Sequence, residues 1–299
     1  MAGTKVRVAI DDRPLTLTNL DKVLYPATGF TKGEVIDYYV FVSGPLLEHL
    51  ANRPLTRKRW PDGVSGQAFF EKNHPRGTPE WVRTVHIAEH GDDGVDYVIA
   101  EDLPTLVWLA NLAAIELHVP QWTVGPRGGI RHPDLLVFDL DPGPPATIVE
   151  CCRVSCWLRD RLAADSLAAW PKTSGSKGAQ LYVPVRQTPA TVTSAYAKQL
   201  AEELSAEHPD LVVARMAKHE RRGKVFVDWS QNSAAKTTVA PYSLRGVERP
   251  AASTPLTWEE VAACRKPTDL VFSPDAVRER LEAYGDLLEP MRATSQRLP

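Results

Sequence analysis

The chain has 299 residues, 43% of them hydrophobic, which is enough for one large core or two closely packed lobes. Its 35 Lys and Arg are balanced by 37 Asp and Glu, so an all-over basic nucleic-acid coat is excluded while a local basic groove is not. No run of about 18 apolar residues suits a membrane span, and the opening MAGTKVRVAIDDRP lacks the apolar core of a signal peptide, so the expected location is the cytoplasm.

Taken in chain order, LTLTNLDKVLYPATGFTKGE opens the folded part. Thr31 and Glu34 form a T-x-x-E capping box that starts a helix through VIDYYVFVSGPLLEHL, with a break expected near Pro45. PLTRKRW and GQAFFEK read as two strands joined by the turn PDG. VRTVHIAEH and VDYVIAED flank GDDG as a second hairpin, and Asp102 caps a helix expected to run through LPTLVWLANLAAIELH. That reading puts His118 at a helix C-terminus.

Beyond Pro133 strands and helices alternate. LLVFDLD is a strand, TIVECCRVSCWLRDRLAA a helix, GAQLYVPV a strand and ATVTSAYAKQLAEELSAEH a helix. VFVDWS and TTVAPYSL are further strands, and TWEEVAACR and SPDAVRERLEAYGDLL are short terminal helices. The pattern predicts an α+β unit, an α/β sandwich, with approximate lobes 15–130, 131–250 and 251–299 that no long Pro/Gly-rich linker separates. Cys151, Cys152 and Cys156 sit at helical spacing, and Cys264 stands alone. Reduced core thiols are expected, not a zinc site or a disulfide framework.

The chemistry concentrates in LLVFDLDPGP. On a strand, Leu135, Val137, Asp139 and Asp141 share one face, and Leu136, Phe138 and Leu140 share the other, which can bury. Two carboxylates at that spacing repel unless a cation sits between them, and a hard divalent ion bound through oxygen removes the conflict. Asp228, at the end of the apolar run KVFVD, is a third candidate ligand. Three strand-borne carboxylates suit two-metal nucleotidyl transfer. Two other readings stay open: a simple Asp/Pro/Gly turn, and a D-x-D phosphohydrolase. The latter usually has Thr or Val two residues after the second Asp, where this chain has Gly143.

Ser174, Gly175, Ser176, Lys177 and Gly178 form a short loop whose amides, hydroxyls and ammonium suit phosphate, although the P-loop spacing is absent and a polar hairpin turn is the plainer alternative. Arg245 in PYSLRG can clamp phosphate. Lys58 and Arg59 in TRKRW, with Phe69 and Phe70 in AFF, place cations and aromatics on strands, as backbone charge plus base stacking requires. Because Phe69 and Phe70 alternate across a strand, one of them is expected in the core. Arg221 lies in the basic loop KHERRGK, which a solvated surface loop would also explain. Lys32 falls in the first turn of the Thr31-capped helix, near Asn19 and Lys22, where free amides and the helix dipole would favour an anion.

The stretches LTNLDKVLYP, TRKRWPDG, AFFEK, ELHVPQW, LVFDLDPGP, TSGSKG, KVFVDWSQN, KTT and APYSLRG together resemble the polymerase domain of bacterial end-joining ligase D, in the archaeo-eukaryotic primase superfamily. They span about residues 15–250 in order. The resemblance implies a primase-type core with an RRM-like sheet and a smaller N-terminal α/β lobe. It implies Mn²⁺- or Mg²⁺-dependent, templated addition of NTPs or dNTPs, with ribonucleotides preferred, at DNA gaps and breaks. Two metal ions would be held by Asp139, Asp141 and Asp228. Lys58, His118, Ser174, Lys177 and Arg245 match nucleotide contacts, with Ser176 and Gln180 beside them. Asn19, Lys22 and Lys32 match a grip on the downstream 5′-phosphate, Phe69 and Phe70 match template-stacking positions, and Arg59 and Arg221 match basic DNA-side positions. Family members commonly carry His where this chain has Gln180; Gln keeps a donor but carries no charge. The implied setting is a bacterial nucleoid, beside a separate ATP-dependent ligase and Ku. A non-catalytic DNA-end binding module that recruits a ligase is the remaining alternative, and the three clustered carboxylates argue against it.

Overall fold

The structure, a computed structural model, describes residues 4–88 and 93–299. Two antiparallel hairpins come first, β1 (Lys5–Ile10) with β2 (Arg13–Thr18) and β3 (Val23–Tyr25) with β4 (Phe30–Thr31). Helix α1 (Lys32–Phe41) starts at Thr31 with both halves of the capping box formed. The helical break falls at Val42, and α2 (Ser43–Leu50) holds Pro45 in its first turn, where the missing N–H costs nothing.

A six-stranded sheet follows. It contains β5 (Pro54–Arg59), β6 (Phe69–Glu71), β7 (Thr84–Ile87), β8 (Val95–Ile99) and β9 (Ala114–Val119), with α3 (Leu103–Asn111) between the last two. The β7–β8 hairpin is antiparallel as expected; Gly91 and Asp92 of its GDDG turn lie outside the described residues. The expected helix through His118 is corrected: α3 stops at Asn111, Ala113 takes φ 58°, and AIELHV is a strand. The alternation of Ile115, Leu117 and Val119 with Glu116 and His118 has period two, and it overrides the helical propensity of the run before it. Phe69 and Phe70 are both exposed, at 42% and 59%, so neither is core; among the described residues β6 pairs only with β5, and no layer covers these two rings.

The second sheet has strand order β11-β12-β10-β14-β13. Its strands are β10 (Leu135–Pro142), β11 (Trp170–Thr173), β12 (Ala179–Pro184), β13 (Val212–Val213) and β14 (Val225–Asp228). Helix α4 (Ile148–Ala164) follows β10, and α5 (Ala190–Glu207) follows β12. Leaving out the short parallel β13, this is the β-α-β-β-α-β arrangement of an RRM-like sheet. Both helices cover the face that carries Leu136, Phe138 and Leu140, each fully buried. The opposite face carries Asp139.

The expected strand TTVAPYSL is two pieces, β15 (Thr238–Val239) and β16 (Leu244–Arg245). Pro241 supplies no ladder donor and Tyr242 has φ 66°, so the chain turns between them. β15 joins the six-stranded sheet through β9, while β16 pairs with β17 (Ala251–Ala252). These crossings bring the two sheets around one cleft. Helices α6 (Trp258–Ala263), α7 (Pro274–Tyr284) and α8 (Glu289–Arg292) complete the chain, and among the described residues no helix is long and apolar enough to cross a membrane. Cys151, Cys152 and Cys264 are buried free thiols, as the core reading expects, while Cys156 is half-buried.

Candidate active site

The DLDPG run is a strand through Pro142, so the carboxylates stand on a paired ladder and the simple-turn reading falls away. Asp139 lies directly opposite Asp228 on β14, and Asp141 is two residues further along the same face. Each of the three offers a carboxylate oxygen, and these oxygens lie within 4.8 Å of one another. Withdrawal from water, and then the neighbouring Asp141, push the Asp139 carboxyl up to about 7. Asp141 is raised for the same two kinds of reason, desolvation and the charge of Asp228. Hard oxygen ligands that repel one another fit a divalent cation, so the triad could hold metal.

Each outer carboxylate is oriented by neutral donors. Gln180 Nε2 donates to Asp139 Oδ1 at 3.0 Å. Ser230 N donates to Asp228 Oδ1 at 3.0 Å, and Gln231 Nε2 donates to Asp228 Oδ2 at 2.9 Å. Strand register extends this into a row across four strands: Lys172, Gln180, Asp139 and Asp228. Lys172 is fully buried, and its ammonium donates to Val239 O at 3.1 Å and to Ser253 Oγ. Burial pulls its pKa well below the usual lysine range, against the field of Asp139. Sequence reading missed Lys172; the signal was a lysine inside WPKT, two residues before the glycine-rich loop.

A cavity of about 310 Å³ opens over this face, and it brings together His118, Asp139, Asp141, Ser174, Ser176, Lys177, Gln180 and Arg245. The Ser174–Gly178 loop closes the β11–β12 hairpin, as the polar-hairpin reading expects, and at the same time faces the triad. Ser174 Oγ accepts from Ser176 N at 3.3 Å and Gly178 N at 3.1 Å, so the loop is internally braced. Arg245 Nη1 donates to Ser174 O at 3.0 Å, and its Nε lies 3.3 Å from Glu116 Oε1. His118 Nε2 meets Glu116 Oε2 at 2.8 Å. Gln231 and Glu116 are further residues that sequence reading missed. Gln231 follows Asp228 in DWSQN, and Glu116 sits one alternation before His118.

The predicted DNA-side residues are more dispersed. Lys58 faces Glu116 across the ladder, with its ammonium 4.7 Å from the Trp60 ring centroid. Phe70 meets the His118 ring edge-on at 5.9 Å, which places this exposed aromatic beside the cleft. Arg59 spends its donors inside the protein, on Leu112 O at 2.7 Å and Glu71 at 2.8 Å. Arg221 stacks over the Phe226 ring at 3.7 Å and helps hold down the Asp141 carboxyl. Lys32 is buried, and its ammonium donates to Asn111 O at 2.8 Å and Thr18 Oγ1 at 3.2 Å. Burial and then the charge of Lys22 lower it to about 8, so the two ammonium groups feel each other. The free amides expected at the start of α1 are corrected. Lys32 N donates to Lys22 O and Gly33 N to Leu20 O, both at 2.8 Å, so any anion there would rest on side chains.

This fold and centre define the catalytic core of a primase-polymerase. Residues 31–288 match the family model described as LigD, primase-polymerase domain. The chain is 45% identical over 280 residues to the multifunctional non-homologous end joining protein LigD of Mycolicibacterium smegmatis, covering 93% of this chain and 36% of that protein. It is 44% identical over 288 residues to the LigD of Mycobacterium tuberculosis, covering 94% and 37%. A solved structure, the polymerase domain from M. tuberculosis ligase D in complex with DNA, superposes with a TM-score of 0.88 at 44% identity, covering 95% of this chain and 99% of that one. The chain belongs to the LigD primase-polymerase domain family, and it spans little more than a third of the length of these two mycobacterial relatives.

Proposed function

We propose that the protein is a DNA-dependent primase-polymerase that adds nucleotides at gaps and breaks during bacterial end joining. The observation that carries this reading is a three-carboxylate centre facing one cleft with Lys177, Arg245 and His118. Asp139, Asp141 and Asp228 would hold two divalent ions, Mn²⁺ or Mg²⁺, which supply activation of the attacking 3′-hydroxyl and charge neutralisation on the triphosphate. Lys177 and Arg245 neutralise phosphate, and Ser174, Ser176 and Gln180 line the same wall. Phe70, against His118, offers a stacking face beside the cleft, and Phe69 next to it on β6 is a second exposed ring for DNA. A D-x-D phosphohydrolase is disfavoured, because a Cβ at Gly143 would meet Arg221 O at 1.9 Å and no Thr or Val fits there. The working partners would be gapped or broken duplex DNA, a separate ATP-dependent ligase and Ku, in the nucleoid.

Extension of primed, gapped and unprimed templates with labelled NTPs or dNTPs tests the activity. Mn²⁺-dependent addition is the expected result, with NTPs outcompeting matched dNTPs on one template. No addition with either metal would overturn the reading, and an equal or dNTP-biased competition would overturn the ribonucleotide preference.

A second expected result concerns the 5′-phosphate beyond a gap. Burial and then the charge of Lys22 lower the Lys32 pKa, so the two ammonium groups lie close enough for one anion to relieve both, although Lys22 also bonds Asp62 at 2.8 Å. A gapped duplex with a downstream 5′-phosphate should bind more tightly than its 5′-hydroxyl counterpart, and the difference should shrink as salt rises. Lys22→Ala with Lys32→Ala should erase it. Equal affinity of the unaltered protein for both duplexes at low salt would rule the pocket out.

A further inference from the structure

One buried carboxylate ties together two cleft residues that come from different sheets. Glu116 is 3% exposed on β9. Its Oε2 meets His118 Nε2 at 2.8 Å, and its Oε1 accepts from Gly246 N at 3.0 Å. The same Oε1 lies 3.3 Å from Arg245 Nε, on β16. Burial would push this carboxyl up, but the His118 bond, the Arg245 charge and the Gly246 amide overrule it and hold it at about 2. It is therefore an anion throughout the working range. With two hydrogen-bond partners and the Arg245 charge converging on it, the anion has a single favoured position, and so do the groups around it.

The glycine next to Arg245 reinforces the clamp. A Cβ at Gly246 would meet the Trp60 indole at 2.2 Å, so the backbone that delivers the Gly246 amide to Glu116 is pressed against an aromatic wall. Tyr25 Oη donates to Arg245 O at 2.8 Å, which fixes the other side of the same peptide unit. What stays adjustable is the guanidinium. Its Nη1 bonds Ser174 O at 3.0 Å, and its Nε lacks a well-aligned acceptor despite lying close to Glu116. Arg245 is thus anchored by its backbone and held by charge, with its fork turned towards the loop that carries Lys177.

We propose that Glu116 is a positioning residue that makes His118 and Arg245 one unit, so that the imidazole and the guanidinium reach a bound nucleotide together. This rests on the nucleotide reading of the cleft. The groups that face His118 are Glu116, Arg245 and Lys58; burial, Arg245 and Lys58 hold its pKa down, and Glu116 opposes them. Replacing the carboxylate by a neutral isostere therefore has a defined sign: the imidazole loses the one charge that favours its protonated form.

The test is Glu116→Gln, with the His118 ring resonance followed by NMR against pH and the affinity for a nucleoside triphosphate measured by direct titration. The His118 midpoint should move to lower pH. The nucleotide Kd should rise about ten-fold, the size of one lost charge-assisted hydrogen bond. The lost carboxylate charge moves the His118 midpoint by proximity alone, so nucleotide affinity decides the role: a purely structural Glu116 would lower the thermal midpoint and leave the Kd in place, and an unchanged Kd, like an unchanged His118 midpoint, in folded Glu116→Gln overturns the proposal. If that variant fails to fold, His118→Ala and Arg245→Ala, singly and together, decide it: non-additive losses in nucleotide affinity support the unit, and additive losses overturn it. Single variants that each leave nucleotide affinity unchanged would overturn the nucleotide reading of the cleft, a failure that the NMR titration distinguishes from failure of the clamp.

Discussion

Asp139→Asn should abolish nucleotide addition and at the same time make the metal-free protein more heat-stable above neutral pH. The loss of activity follows from removing a ligand charge from the triad. Several kcal/mol of charge stabilisation goes with the metal, so a drop of at least about a thousand-fold is expected. The gain in stability follows from the sign of the Asp139 shift. In the unfolded chain the carboxyl titrates near its ordinary 3.8; in the folded protein, burial and Asp141 raise it to about 7. Between those values the folded state holds more protons than the unfolded state. Its stability contribution is complete below the lower value and is lost as pH rises through the upper one. Asn carries no charge, so the loss disappears, while its amide oxygen can still accept from Gln180 Nε2. Thermal melts in a chelating buffer at pH 5.5 and 8 should show the Asn variant gaining more over the unaltered protein at the higher pH than at the lower. Added Mn²⁺ should raise the midpoint of the unaltered protein more than that of the variant. Near-normal extension by the variant, or a lower midpoint at pH 8 without metal, would sink the metal assignment.

Much of this centre could be read from the residues because its parts are local. The alternation Leu135 to Asp141 set one face for carboxylates and one for the core, and Leu136, Phe138 and Leu140 are buried as that pattern requires. The capping box at Thr31 formed because its two partners lie three residues apart. What stayed hidden depends on register between distant segments. Lys172 reaches the row of Asp139 only through two antiparallel pairings, and Glu116 meets Arg245 across 129 positions of chain. His118 was misplaced because ANLAAIELH carries helix-forming residues up to the point where Ala113 reverses the chain at φ 58°. Propensity could not show that reversal, since a tertiary pairing with β5 decides it. Phe69 and Phe70 were misjudged for a related reason: alternation assigns one face of a strand to the core only when a layer covers it, and none covers these two rings.

Gly178→Ala should disable the cleft without touching any charged residue. Gly178 is buried at the start of β12, and a Cβ there would stand 2.1 Å from Leu140 O and 3.2 Å from Leu140 C. Both are backbone atoms of the strand segment between Asp139 and Asp141, so no flexible side chain can move aside. The β10–β12 pairing of Leu140 with Ala179 would have to open instead. The loop is tied to that point from both sides, because Ser174 N donates to Gly178 O at 2.9 Å and Gly178 N donates to Ser174 Oγ at 3.1 Å. Opening the pair therefore shifts Lys177 relative to the triad. Overpacking of this kind costs roughly 1–3 kcal/mol. Nucleotide affinity should fall by about ten-fold or more as the Lys177 charge-assisted contact is lost. Gly44→Ala is the matched control, since nothing lies within 4 Å of its Cβ and it sits in α2, where Ala is favoured over Gly by roughly 0.5–1 kcal/mol. Denaturant unfolding and nucleotide titration of both variants separate local from general effects. Loss of stability and of nucleotide affinity in Gly178→Ala alone is the expected outcome. Unchanged affinity in a destabilised Gly178→Ala would mean that the loop holds its place independently of β10, and that Lys177 does not need Gly178 to reach the triphosphate.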